Sequence, residues 1–358
     1  MKKKRIAVLL AGAFFIVSFA ACGQAGQAQG ASGETAHDSR TEAVPSELEP
    51  AEMGAAGTGR EPGSGSGQAA AGGNAPVVYM TTDISSDGLM AVYEALGASP
   101  AGNVAVKLST GEPGSNYLRT DLIGELVQSL GATIVECNTA YGGSRANTAM
   151  HYQVAEDHGY TAIADVDIMD EEGSMTLPVS GGDNLTENYV GSHFGNYDYY
   201  VVLSHFKGHA MAGYGGAIKN ISIGIASAEG KAHIHSGGTG GNMWSGEQDA
   251  FLESMAEAGK SVVDALDGNI LYINVMNRLS VDCDCDGNPA EPDMHDIGIL
   301  ASFDPAAVDQ ACIDLVYSAE DGGSLVNRIE SRNGLHTLEQ AEKIGLGSRA
   351  YQLVSIDE

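Results

Sequence analysis

Basic residues are scarce in this chain. Lysine and arginine number 18 against 47 acidic residues, a formal charge of -29 over 358 residues. The dense basic cluster, Lys2, Lys3, Lys4 and Arg5, sits at the very start. Binding nucleic acid requires clustered cations, so that class of partner is set aside. The plain account of most of the carboxylates is a solvated surface. Cysteine is also short, with five in all. A disulfide scaffold of this size needs many more, so a hydrophobic core must hold the fold. A membrane-spanning run is missing at the start as well. The apolar stretch 6–21 falls short of the ~20 residues a spanning helix needs.

That short run, preceded by a basic segment and followed by small residues, reads as a secretory signal over 1–21. "FAAC" resembles a bacterial lipobox, with Phe19 where leucine is usual, and marks Cys22 for lipidation. The expected location is the outer face of the cell membrane, with Cys22 carrying the lipid anchor. Residues 22–75 are rich in Gly, Ala, Ser, Gln and Glu and nearly empty of large apolar side chains. Such a segment cannot bury enough surface to offset its ordering entropy, so a disordered tether is expected there. One domain is expected over 76–358.

Within that domain, strand-like and helix-like patterns alternate. "PVVYM", "NVAVKL", "ATIVE", "YDYYVVLS", "NILYINVM" and "DIGILAS" are short, apolar and flanked by Gly, Asp or Pro, as buried strands are. "NYLRTDLIGELVQSLG" repeats apolar residues at helical spacing and stops at Gly131. "EQDAFLESMAEAGKSVVDAL" predicts a second amphipathic helix. "DPAAVDQACIDLVYSA" predicts a third, with Asp304 as N-cap and Pro305 at N1. Strand then helix, repeated, predicts an α/β fold: a mainly parallel sheet covered on both faces. Ligands of such sheets collect beyond the carboxyl ends of the strands, so the segments after strands are searched first.

After the strand ending near Leu203, His205, Lys207 and His209 emerge together, as candidate catalytic groups. Gly213, Gly215 and Gly216 follow, before a helix start. Glycines there let backbone amides approach an anion, and Lys219 one turn later adds a cation. A small anionic ligand or cofactor phosphate is expected at Gly215, Gly216 and Lys219. His233 and His235 come next; on an extended segment they would share a face and suit metal ligation.

"VDCDCDGNPAEPDMHD" follows another strand and sets Cys283 and Cys285 one residue apart among acids. A disulfide between them closes a very small, strained ring that is easily reduced. Two thiolates from one loop suit a soft metal ion or an iron–sulfur cluster better. Two ligands are not enough, so His205, His209, His233 and His235, or Asp284 and Asp286, would complete the set. Cys312 lies at an apolar helical position and reads as core. Cys137 reads either way.

Three stretches, "SHFKGHAMAGYGGAIKNISIGIASAEGKAHIHS", "YINVMNRLSVDCDCDGNPAEPDMHDIGILASFDPAAVDQACIDL" and "GLHTLEQAEKIGLGSRAYQL", resemble the DUF362 proteins, a domain of unknown function in bacteria and archaea. The resemblance spans nearly all of 76–358. Many such proteins carry a ferredoxin module after the segment matching "KAHIHS". Here that place holds "GGTGGNMWSGEQ", without cysteine, so no ferredoxin-type four-cysteine motif is inherited. The resemblance implies the core fold and a site built from the Cys-Asp-Cys loop, Lys219, Asn220 and the histidines, with no settled reaction. The expected function is a metal- or iron–sulfur-dependent enzyme of redox or isomerase type on a small anion. The alternatives are a non-enzymatic metal- or anion-binding lipoprotein and a thiol–disulfide protein. Aspartates around the sulfurs oppose a reactive thiolate and count against the last.

Overall fold

The computed structural model describes residues 75–240 and 242–357. The signal, Cys22 and nearly all of the tether lie outside the described residues. In chain order the first half holds β1 (Val77–Thr81), α1 (Ser86–Ala95), β2 (Val104–Lys107), α2 (Thr120–Ser129), β3 (Thr133–Glu136), α3 (Thr148–Asp157) and β4 (Val166–Ile168). Two small antiparallel pairs flank a long strand: β5 (Ser174–Pro178) with β6 (Glu187–Gly191), then β7 (Tyr199–His205), then β8 (Lys207–His209) with β9 (Gly213–Gly215). There follow α4 (Ala217–Ser222), α5 (Ala228–His235), α6 (Gln248–Leu266), β10 (Ile270–Met276) and β11 (Gly298–Ser302). The chain closes with α7 (Pro305–Ser318), α8 (Gly323–Ser331), α9 (His336–Lys343) and β12 (Gln352–Ser355).

Eight strands form the main sheet, in the order β12-β1-β11-β10-β7-β2-β3-β4. Every pairing is parallel except the two made by β11, which opposes both β10 and β1. Seven strands therefore point one way and β11 alone runs back. The fold is α/β with a mainly parallel sheet, as the strand–helix alternation predicted. The single reversal matters for the site: the chain leaves β10 and enters β11 at the same edge, so residues 277–297 stay on the carboxyl-end rim.

Strand chemistry explains the layers. Along β7, Tyr200 and Val202 enter one core while Tyr199, Val201 and Leu203 enter the other. Along β10, Ile270, Tyr272 and Met276 alternate in the same way with Leu271, Ile273 and Val275. Both faces of these strands are buried, which is why they read as unbroken apolar runs. Full burial of each such side chain contributes about 1.5–3 kcal/mol. Helices α1 and α2 cover one face; α4, α6, α7 and α9 cover the other. Asp304 caps α7 as expected, accepting from the Ala307 amide at 2.9 Å. Among the described residues no helix is long and apolar enough to cross a membrane.

Candidate functional site

A cavity of about 380 Å³ opens at the carboxyl ends of β2, β3, β7 and β10. Five of the chain's 18 basic residues line it: Lys107, Arg145, Lys207, Lys219 and Lys231. Four carboxylates, Glu136, Asp282, Asp284 and Asp286, line the same cavity.

One of these cations arrives from a strand end, beside a carboxylate that ends the next strand. Lys107 is the last residue of β2 and Glu136 the last of β3, and they pair at 3.0 Å. Lys107 also donates to the Leu108 carbonyl at 2.8 Å and to Asn220 Oδ1 at 2.9 Å. Arg145 bonds Glu112 at 3.1 Å and stands 3.7 Å from Glu136. Burial opposes the Glu136 charge, yet Lys107, Lys231 and Arg145 hold its carboxyl down at about 2. Asn220 Nδ2 reaches the Lys107 and Leu203 carbonyls and the Ser204 hydroxyl, bracing the ends of β2 and β7 together.

The Cys-Asp-Cys loop forms the opposite wall. Asp284 Oδ1 accepts from Lys207 Nζ at 2.5 Å and Asp284 Oδ2 faces His205 Nδ1 at 3.2 Å. The loop is stitched down by Gly208 N to Ser280 O at 2.8 Å and Glu112 N to Asp284 O at 2.8 Å. A side chain at 208 would strike the Val281 backbone, so only glycine permits this approach. Burial and the Lys207 charge lower the proton affinity of His205, whose Nε2 lies 2.7 Å from the Asn277 carbonyl. Both of its ring nitrogens are committed.

Cys283 and Cys285 are bonded to each other, with their Cα atoms 5.3 Å apart. This departs from the expectation of two free thiolates. The loop bends enough to bring the Cα separation inside the range a disulfide accepts, where a straighter segment would not. His209 joins them: ligand atoms of His209, Cys283 and Cys285 all lie within 4.8 Å of one another, close enough that the three could hold a metal ion. In the form described, the set is not ready for one. The sulfurs are spent on each other, and His209 Nδ1 accepts from the amides of Met211 at 3.2 Å and Ala212 at 2.9 Å. With Nδ1 an acceptor, the neutral ring carries its proton on Nε2, so neither nitrogen offers a lone pair. Burial and nearby Lys219 push the His209 pKa well below its ordinary value, keeping the ring neutral. A second group, Asp167, Glu171 and His193, lies at the β4 edge of the sheet, with His193 paired to Asp167 at 2.9 Å.

Two further expectations are corrected. His233 and His235 are not on an extended segment but at the end of α5, which Ser227 caps by accepting from the Gly230 amide at 3.1 Å. Two residues apart on a helix lie about 200° apart around its axis, so they cannot share one face. His233 packs by Tyr189, at 5.1 Å between ring centroids, while His235 stacks on Phe251 at 4.7 Å and lines the cavity. Burial lowers the His235 pKa to about 4, and its Nδ1 meets the Lys231 carbonyl at 2.7 Å. Gly215, Gly216, Lys219 and Asn220 do line the cavity, but the amides at the start of α4 are taken by the protein itself and not left for an anion. Asp309 of α7 accepts from the Ala217 and Ile218 amides at 2.7 and 3.0 Å and fills the start of α4.

Lys107, Glu136, Arg145, Lys231 and Trp244 escaped the sequence reading. A charge closing an otherwise apolar strand, as in "NVAVK" and "ATIVE", was the available signal. Trp244, the chain's single tryptophan, is 64% exposed at the cavity mouth. Of the other cysteines, Cys312 is core, and Asn274 donates to its sulfur at 3.5 Å. Cys137 lines the cavity as a thiol donating to the Ile225 carbonyl at 3.3 Å, and burial pushes its pKa up to about 12.

A family model described as a domain of unknown function, DUF362, matches residues 104–314. No curated protein matches. Eight chains of known structure do. One is the lactate racemase apoprotein from Thermoanaerobacterium thermosaccharolyticum, at 14% identity and a TM-score of 0.42, covering 67% of this chain and 57% of that one. Another is a protein from Thermotoga maritima, at 12% and 0.37, covering 72% and 58%. This chain spans less than two thirds of either length.

Proposed function

The chain belongs to the DUF362 family, and from that premise we propose that its cavity binds a small organic anion, a carboxylate or phosphate, as the substrate of a redox or isomerase-type reaction. One observation carries the reading. Glu136 pairs with Lys107 and Arg145, and Asp284 with Lys207, but among the described residues no carboxylate comes within ion-pair distance of Lys219 or Lys231. Lys231 is buried and donates to the Ala226 carbonyl at 2.7 Å. Glu136 is the one carboxylate that both lysines feel at longer range, shared with Lys107 and Arg145, and a bound anion would supply the negative charge that this single group cannot. Trp244 at the mouth supplies the assay. Titration with small carboxylates and phosphates should change its fluorescence saturably, and Lys231→Met should weaken binding by about tenfold, or 1.4 kcal/mol. No saturable change with any of these anions sinks the proposal.

A second reading rests on the proximity of His209, Cys283 and Cys285. Reduction would free two thiolates, and His209 would have to surrender its contacts with the backbone amides to complete a set of three. Metal content of protein reduced and purified without oxygen decides it. Stoichiometric zinc or iron that vanishes in the Cys283→Ser, Cys285→Ser double variant supports a metal centre.

The anchor at Cys22 and a position on the outer face of the membrane complete the proposal, supported by the leader and "FAAC". Cys22→Ser should move the protein from the membrane fraction to the soluble one. If it stays membrane-bound, the anchor lies elsewhere.

A further inference from the structure

Resting on the anion-binding reading, we infer that Lys219 is a covalent amine: it forms an imine with a small carboxylate that carries a neighbouring carbonyl, a 2-oxo acid. The inference starts from what the five cavity cations do with their protons. Lys107 spends its three on Leu108, Asn220 and Glu136. Lys207 is held by Asp284. Lys231 donates to the carbonyls of Ala226 and Cys137. Arg145 is held by Glu112 and by the Tyr141 hydroxyl at 2.9 Å. Lys219 alone donates to nothing among the described residues, although it lines the same cavity.

An amine attacks a carbonyl only as the free base, and a lysine becomes one near neutrality when it is desolvated beside other cations. Lys219 is half-buried, so its desolvation is partial, and it stands beside Lys107, Arg145 and Lys231. Burial is the larger influence and lowers its pKa; Glu136 pulls the other way; Lys107, Arg145 and Lys231 add to the lowering, to about 8. The side chain is also aimed. It leaves α4, whose start is pinned by Asp309, and its stem crosses Gly215 so closely that a Cβ there would meet Lys219 Cδ at 3.2 Å. The glycine expected to cradle an anion instead makes room for the lysine.

The chemistry balances without an added oxidant or reductant. The Lys219 nitrogen forms a bond to the carbonyl carbon. The carbonyl oxygen leaves as water with the two hydrogens of the neutral amine, and one solvent proton converts the imine to the iminium. The substrate's carboxylate meanwhile gives Lys231 a partner at contact distance, which Glu136 does not provide.

The test uses the full chain, pyruvate as probe and cyanoborohydride as trap, with peptide mass spectrometry as readout. One reduced pyruvate should appear on Lys219, at about tenfold or more over exposed Lys343. The adduct should be absent from Lys219→Met and Lys219→Arg, with folding of both checked by circular dichroism. Gly215→Ala, which keeps the amine but crowds its stem, should slow trapping. Label spread evenly over the lysines, or retained in the two Lys219 variants, overturns the inference. Oxalate, an anion without a ketone, separates the two levels of argument. Saturable oxalate quenching of Trp244 without pyruvate trapping defeats the imine and leaves the anion site standing, whereas failure of both removes both.

Discussion

Asp284 closes on Lys207 at 2.5 Å from a loop seventy-seven residues further along the chain, and both side chains are buried. This pair, with His205 on the other carboxylate oxygen, is what fixes the Cys-Asp-Cys loop against the end of β7. Removing one member should therefore cost far more than removing both. Asp284→Ala is expected to lose about 3–5 kcal/mol of stability, because it strands a buried ammonium. Asp284→Leu combined with Lys207→Met should lose less. Urea denaturation of the single and double variants checks this, and additive losses would show that the pair is not coupled.

Acid should weaken the fold in a defined window. Glu136 has its pKa lowered from 4.5 to about 2, against burial, by Lys107, Lys231 and Arg145. A depressed carboxylate contributes stability above its unfolded pKa and loses that contribution as pH falls through the folded one. The urea midpoint should decline between pH 4.5 and about 2. Glu136→Gln, less stable at neutral pH, should show a shallower decline across that interval.

Anion affinity should fall in alkali. With Lys219 titrating at about 8 in the free protein, where Glu136, Lys107, Arg145 and Lys231 face it, its charge is lost as pH rises through that value. Oxalate binding followed at Trp244 should weaken from about pH 8 upward in the wild type. Lys219→Met should bind weakly at every pH, with the step gone.

The thiols should sort into two classes. Native protein should resist alkylation at Cys283 and Cys285 until a reductant is added, then take two labels there. Cys137 and Cys312 are buried and should react only after denaturation. Labelling of Cys283 without reductant would show that the pair is open in solution.

Much of the fold was legible because β7 and β10 are buried on both faces and almost wholly apolar, with Asn274 the polar residue inside β10. The Asp304-Pro305 start of α7 was equally plain. By contrast, β12 is mostly exposed and carries little apolar signal, and nothing local in "DIGILAS" says that β11 runs backward. The site was half legible. Position after a strand marked His205, Lys207 and the cysteine loop, which the structure does bring together. Asp309, which takes the anion's place at α4, lies ninety residues from the glycines it serves, and no short pattern links them. The histidine alternation at 233 and 235 misled because a Ser227 cap turned the segment into a helix.

The reversal of β11 carries a consequence for how this molecule can be changed. Residues 277–297 begin and end on hydrogen-bonded neighbours, with Met276 opposite Gly298. The stretch is a panel fixed at both ends and pinned in between by Asp284 to Lys207 and His205, so its composition can vary where it spares that pin. A panel with a different donor set could be exchanged for the sulfur pair while the floor of lysines stayed where β2, α4 and α5 hold it. Loop grafting between chains of this architecture should therefore alter the reacting groups independently of the anion they face.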